Sequence, residues 1–168
     1  MAKARKLTTG MKSMKKHGVA WWKKKVWTKA FSPYIRLRDA LETTGSPHTL
    51  KCCSCGKPYP AFGVGCAQAG HFIPGRHNSI LFLEHCVHGQ CYNCNITLKG
   101  NWPGYYAFMR ERYGQNGIDE MLRLSKTVRK FTVEELKTMY NRYLNQIELL
   151  KSQKKPDILE RRRLKNKD

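Results

Sequence analysis

Two cysteine knuckles, Cys52-Cys53-Ser54-Cys55 and Cys91-Tyr92-Asn93-Cys94, bracket a segment whose only carboxylate is Glu84. A C-x-x-C turn aims two sulfurs at one point, and two such turns in one small chain give the four soft ligands of a tetrahedral zinc site. Cys52, Cys55, Cys91 and Cys94 are therefore the expected structural zinc ligands. Cys53 is one residue out of spacing, and the isolated Cys66 and Cys86 read as small buried hydrophobes. A tetrathiolate ion has no open position, so it holds a fold and does no chemistry. Any reaction belongs to the histidine-rich, acid-poor segment between the knuckles, with His71, His77, His85 and His88.

The chain of 168 residues carries 32 Lys and Arg against 12 Asp and Glu, a formal net charge of +20. Such a surface repels itself unless its partner is a polyanion, and nucleic acid is the expected one. No helix joins a clean apolar face to a basic one, and no run of about 18 apolar residues occurs, so no membrane partner is expected. Seven cysteines and no apolar leader segment point to a reducing, cytoplasmic compartment.

Three stretches are expected: a flexible basic arm over 1–20, a zinc-bearing domain with C-terminal helices over 21–150, and a charged tail over 151–168. Apolar residues at helical spacing from Trp22 to Leu41 predict two helical pieces meeting at Ser32-Pro33, read as an N-cap and a first-turn proline. Trp21, Trp22 and Trp27 interleave with Lys23, Lys24 and Lys25; the aromatics are expected to pack inward while the lysines face phosphate. Strand-like runs at Gln68–Ile73 and Ile80–Val87 flank Pro74-Gly75, predicting a hairpin, and Cys91–Lys99 reads as a short helix. Helices are then expected from Pro103 to Tyr113-Gly114, over Ile118–Leu124, and after the capping box Thr132-Val133-Glu134-Glu135 with its Phe131/Leu136 staple. The fold class is α+β: a small zinc-stabilised ββα core with flanking α-helices and basic tails. In a strand–strand–helix unit, His71 on the first strand comes opposite Asn95 after the second knuckle. One divalent ion on a scissile phosphate fits between them, with the imidazole free to deprotonate water.

The order Cys52-x-x-Cys55-Gly56, Ala69-Gly70-His71-Phe72, Phe82-x-Glu84, Val87-His88, Gln90-Cys91-x-x-Cys94-Asn95 and Gly100-Asn101 resembles the NinG (Rap) phage recombination proteins. Tyr34–Ala40 and Glu111-Arg112-Tyr113-Gly114 are similar to that family as well, and the likeness runs from about Phe31 to Leu150. NinG proteins resemble HNH (His-Me finger) nucleases. The resemblance implies a metal-dependent, structure-specific DNA endonuclease acting on branched recombination intermediates such as Holliday junctions and D-loops. It makes His71 the general base and Asn95 a ligand of a catalytic Mg²⁺ or Mn²⁺. Glu84 and His88 fall on motif positions expected to hold the metal through water, orient His71 or protonate the leaving oxygen; Glu84 has the alternative of an ion pair with Lys or Arg. Arg76 and His77 match a phosphate-clamping loop, with Lys99 and Lys23 to Lys25 as further nucleic-acid contacts. The chain departs from the family at Gln68, where an acid is common, at Cys86, where an asparagine is common, and at Lys99, where a histidine is common. The rival reading is a non-catalytic zinc module that binds nucleic acid in phage recombination or replication. Paired cuts by a resolvase point to a homodimer, with the Thr132–Leu150 helix as its expected interface.

Overall fold

The computed structural model describes residues 17–152. Most of the expected basic arm and charged tail, 1–16 and 153–168, lies outside the described residues. The described chain is α+β: α1 (Val19–Val26), α2 (Ser32–Thr44), β1 (Thr49–Lys51), β2 (Pro58–Pro60), β3 (Gln68–His71), β4 (Val87–Gln90), α3 (Trp102–Ser125) and α4 (Val133–Ser152).

Helices α1 and α2 form one continuous run, not two pieces with a cap. Ser32 has helical φ/ψ and the junction is a wide π-helical turn over Trp27–Phe31. An inserted π turn rotates the following helix relative to the preceding one. Trp27 here stacks on His71 at 4.8 Å while Ala30, Phe31 and Ile35 are buried in the core. Pro33, which has no N–H to donate back into the run, comes just after the π turn. Gly45, at φ +68, closes α2 by donating to the Leu41 carbonyl, a position whose left-handed backbone favours glycine.

The second strand of the hairpin is shorter than alternation predicts. Residues 80–82 are turn, Leu83 is extended, Glu84–Cys86 is a 3₁₀ turn, and only Val87–Gln90 pairs with β3, antiparallel, with Gln68 opposite Gln90 and His71 opposite Val87. The apolar residues Ile80, Leu81 and Phe82 are buried without being strand, because the loop folds inward over the core. After β4, Asn93–Thr97 forms a π-helical turn where a short helix was expected.

The C-terminal third follows its punctuation closely. Pro103 lies in the first turn of α3, and Gly114, at φ +67 and ψ 178, breaks it into two segments. At α4 the Thr132 Oγ1 accepts from the Glu135 N–H at 3.1 Å and the Glu135 carboxylate accepts from the Thr132 N–H at 2.7 Å. Phe131 and Leu136 are both buried, completing the staple. Leu136, Tyr143 and Ile147 of α4 pack with Val26, Phe31, Tyr34 and Leu37. The α4 stripe expected to form a dimer interface is thus largely consumed inside the chain. A second core joins Phe72, Ile73, Ile80 and Cys86 to Tyr105, Met109, Ile118 and Met121 of α3. These two cores clamp the β3–β4 pair from either side.

Candidate functional site

The sulfurs of Cys52, Cys55, Cys91 and Cys94 all lie within 4.8 Å of one another. Zinc–thiolate bonds of about 2.3 Å in a tetrahedron require sulfurs roughly 3.8 Å apart, so a small contraction would close the shell. The surroundings suit anionic sulfur: the Cys91 N–H points to Cys52 Sγ at 3.3 Å, the Cys94 N–H to Cys91 Sγ at 3.4 Å, and the Asn101 side-chain amide to Cys94 Sγ at 3.3 Å. The four cysteines are placed to hold a structural metal such as zinc, tying the turn after β1 to the turn after β4. Cys53 faces away, into the core beside Ser54 and Tyr105.

His71 ends β3 with Nε2 at 3.2 Å from the Leu81 carbonyl oxygen. A carbonyl only accepts, so Nε2 carries the proton and Nδ1 is the unprotonated nitrogen, without a partner among the described residues. Burial pushes the His71 pKa from 6.5 down to about 4, with the Leu81 carbonyl opposing and the Arg76 charge adding to the fall. His71 is therefore neutral and basic at Nδ1 across the physiological range. The guanidinium of Arg76 also lies over the Trp27 ring, at 5.1 Å. Trp27 thus fixes both a candidate base and a candidate phosphate ligand.

Asn95 reaches the same place from the π turn after the second knuckle. His71, Arg76, Asn95 and Lys99 line one cavity of about 340 Å³. An adjoining cavity of about 380 Å³ shares Arg76 and Asn95 and adds Trp27, Arg36, Cys66 and Gln68. Three cations border this joint space and no carboxylate lines it. The side-chain amide of Asn95 donates to Gln68 Oε1 at 2.7 Å, leaving Asn95 Oδ1 as its open pole. Gly70 cannot be replaced by an acidic ligand: a Cβ there would stand 2.1 Å from Gln90 Oε1. Gln90 is itself wholly buried, its amide nitrogen donating to Ser54 Oγ and the Gly100 carbonyl. Magnesium and manganese favour charged oxygen ligands, commonly one or two carboxylates. The protein groups present, neutral amides beside Arg76 and Lys99, do not fit a resident hard cation.

Two residues expected near His71 are elsewhere. Glu84 rides the 3₁₀ turn, accepts from Tyr34 Oη at 2.8 Å and pairs with Arg142 at 3.4 Å, which is the ion-pair alternative. His88 is 1% exposed, behind the hairpin. His88 Nδ1 lies 3.0 Å from Arg38 Nη2 and 3.4 Å from Asp39 Oδ2, and its Nε2 lies 3.0 Å from Tyr113 Oη. Asp39 accepts from the Gly89 N–H at 2.6 Å and from Arg38 Nε at 2.8 Å. Burial alone would raise the Asp39 pKa; His88, Arg38 and the Gly89 N–H outweigh it and hold the carboxyl below its ordinary value. Burial likewise pushes the His88 pKa down despite the Asp39 carboxylate. This buried network seats α2 against β4 and so fixes the second knuckle; it does not line the His71 cavity.

Among the remaining expected contacts, Lys24 belongs to a basic surface patch with Trp21, Lys25, Thr28 and Lys29. Lys23 bonds Asn78 at 3.2 Å, and Lys25 lies over the Trp22 ring at 4.6 Å. His77 folds back beside Gly75 in the loop that carries Arg76. Sequence reasoning missed Trp27, Arg36 and the Gln68–Asn95 pair as parts of the cavity. Signals were present for Arg36, inside the family-like stretch Tyr34–Ala40, and for Gln68, a motif position three residues before His71.

The fold and site define a small α+β domain built on a four-cysteine centre, with a cationic cavity beside it. The sequence profile described as Bacteriophage Lambda NinG protein matches residues 2–154, and the chain belongs to this NinG family of phage proteins. Two proteins named ninG, from Escherichia phage 933W and Enterobacteria phage VT2-Sa, are each 28% identical over 134 residues, 79% of this chain and 60% of the relative. The chain thus spans about 60% of the length of these curated relatives. No solved structure matches. Among the described residues, no helix is long and apolar enough to cross a membrane.

Proposed function

We propose that this chain is a DNA endonuclease of the His-Me finger type, acting on branched recombination intermediates. The observation that carries the proposal is the convergence of His71 and Asn95 on one cation-rimmed cavity, with His71 held neutral by burial, its Nε2 on the Leu81 carbonyl and its Nδ1 free. The β3–β4 pair followed by the Asn93–Thr97 π turn supports this reading by its order, strand, strand and helical turn. A water at Nδ1 loses its proton to His71 as its oxygen bonds phosphorus. The opposite phosphorus–oxygen bond breaks, and the leaving oxygen takes a proton from solvent. Arg76 and Lys99 offset the charge that gathers on the phosphoryl oxygens. The Leu81 carbonyl orients the imidazole, a task that Cys86 cannot perform from its place in the second core. Branched DNA as the substrate rests on the resemblance to the NinG recombination proteins alone, and paired cuts on a junction call for two copies of the chain.

A second reading is a non-catalytic, nucleic-acid-binding NinG protein. It is favoured by the Gln68–Asn95 hydrogen bond and by the lack of any carboxylate in the cavity. The test is cleavage of a labelled four-way junction against linear duplex, with Mg²⁺ or Mn²⁺, for the wild type and His71→Asn at equal zinc content. Junction cuts lost in the variant establish the nuclease. Tight binding by the wild type with no cut under any condition establishes the binding protein.

A further inference from the structure

We propose that the loop Ala61–Cys66 is an apolar wedge that enters DNA at a branch point, against an unstacked base; this rests on the DNA-binding reading above. Between β2 and β3 the chain reads Ala61-Phe62-Gly63-Val64-Gly65-Cys66. Gly63, at φ +90, and Gly65, at φ +67, turn the backbone sharply and lift Val64 to the tip. Val64 is 99% exposed and Phe62 42% exposed, so neither owes its place to the core. A valine lifted fully into water by two glycines serves no packing purpose.

The loop is also held firmly. Arg36 Nη1 donates to the Ala61 carbonyl at 2.9 Å and to Cys66 Sγ at 3.2 Å, stitching its two ends to α2, and the guanidinium lies over the Phe62 ring at 4.8 Å. The Ala61 N–H bonds the His48 carbonyl and the Ala67 N–H bonds the Pro60 carbonyl, both at 2.8 Å, closing the base. Preorganisation of this kind removes the ordering cost that a floppy apolar loop would incur on binding.

Its setting selects the partner. Arg36 and Cys66 line the cavity that contains Asn95 and Gln68, so the loop stands at the edge of the candidate site. On its other flank Phe62 borders a mainly apolar groove with Pro33, Leu37, Leu144 and Ile147, where Lys29 stands at the edge and Lys151 is paired with Glu148 at 2.8 Å. An apolar tip between Lys29 on one side and Arg36 and Arg76 on the other matches a polyanion that also offers flat apolar faces, which is what nucleic-acid bases behind phosphates present. Apolar wedges enter base steps at an unstacking cost of a few kcal/mol per step. That cost is least where stacking is already broken. A rigid wedge beside a phosphate site therefore discriminates branched from linear DNA, which the spread of basic residues alone does not do.

The test uses the full zinc-loaded chain, with no divalent cation added, on a four-way junction carrying 2-aminopurine at the crossover and on the matching linear duplex. The wild type is expected to raise 2-aminopurine fluorescence at the crossover and to prefer the junction. The double variant Phe62→Ala/Val64→Ser should lose the fluorescence rise and about tenfold in junction affinity. Its duplex affinity, zinc content and Tm should be unchanged, and Val64→Leu should retain both junction signals. Three results overturn the wedge while leaving the DNA-binding reading intact. They are an unchanged fluorescence rise in the double variant, an equal loss on junction and duplex, or a change of oligomeric state showing that a second copy covers Phe62. If the wild type binds neither DNA, the DNA-binding reading fails and the wedge with it.

Discussion

The protonation of His71 offers the sharpest check on the proposed chemistry. Its pKa lies at about 4, against an ordinary value of 6.5, because the ring is buried beside Trp27 and the Leu81 carbonyl and faces the Arg76 charge. That interval corresponds to about 3 kcal/mol of preference for the neutral ring at 25 °C. The unfolded chain therefore binds a proton at His71 that the folded chain refuses between pH 6.5 and about 4. Through this group, stability is fully present above pH 6.5 and is lost as pH falls through that window, by up to about 3 kcal/mol. The perturbation is Trp27→Ala, which removes the stacked indole and lets water reach the ring. His71 should then titrate back toward 6.5, and the acid-side loss of stability should shrink. Imidazole resonances followed by NMR against pH give the value directly, independent of any cleavage. A wild-type His71 that titrates near 6.5, or a Trp27→Ala variant with an unmoved midpoint, would refute the argument that burial keeps this base neutral.

Three further outcomes follow from the packing. Cys52→Ser should lose one bound zinc per chain and lower the Tm, whereas Cys53→Ser should keep the metal, as read by zinc analysis beside thermal melts. Asp39→Ala leaves Arg38 and the Gly89 N–H without their acceptor and should cost about 3–5 kcal/mol in chemical denaturation; a loss below about 1 kcal/mol would mean that the network contributes little. Gly70→Ala drives a methyl into Gln90 Oε1 and should cost about 1–3 kcal/mol. Its effect on zinc content should be small if the strain stays within the hairpin.

Features governed by short-range chemistry were legible in the chain itself. The C-x-x-C turns bring their own sulfurs together, and only the joining of the two turns needed the fold. The Thr132–Glu135 box and the Pro103 and Gly114 signals act within one helical turn, so the start of α4 and the break in α3 follow from local sequence. The charge of +20 with one acid between the knuckles already implied an acid-poor site, although Glu84 was expected in it.

Tertiary structure decided the rest, because the deciding contacts span the chain. Period-two alternation between Ile80 and Val87 reads as a strand, but the inward fold of that loop buries Ile80 and Leu81 and turns Glu84 to Tyr34 and Arg142. His88 shares a motif with His71, yet pairing Gly70 opposite His88 on β3–β4 leaves His88 with Arg38, Asp39 and Tyr113 behind the hairpin. The π turn at Trp27–Phe31 breaks the helical register, and no local residue announces it; through it Trp27 meets a histidine more than forty positions away. Knuckles, caps and charge are properties of neighbours in sequence. Which histidine faces an open cavity depends on what the rest of the chain buries.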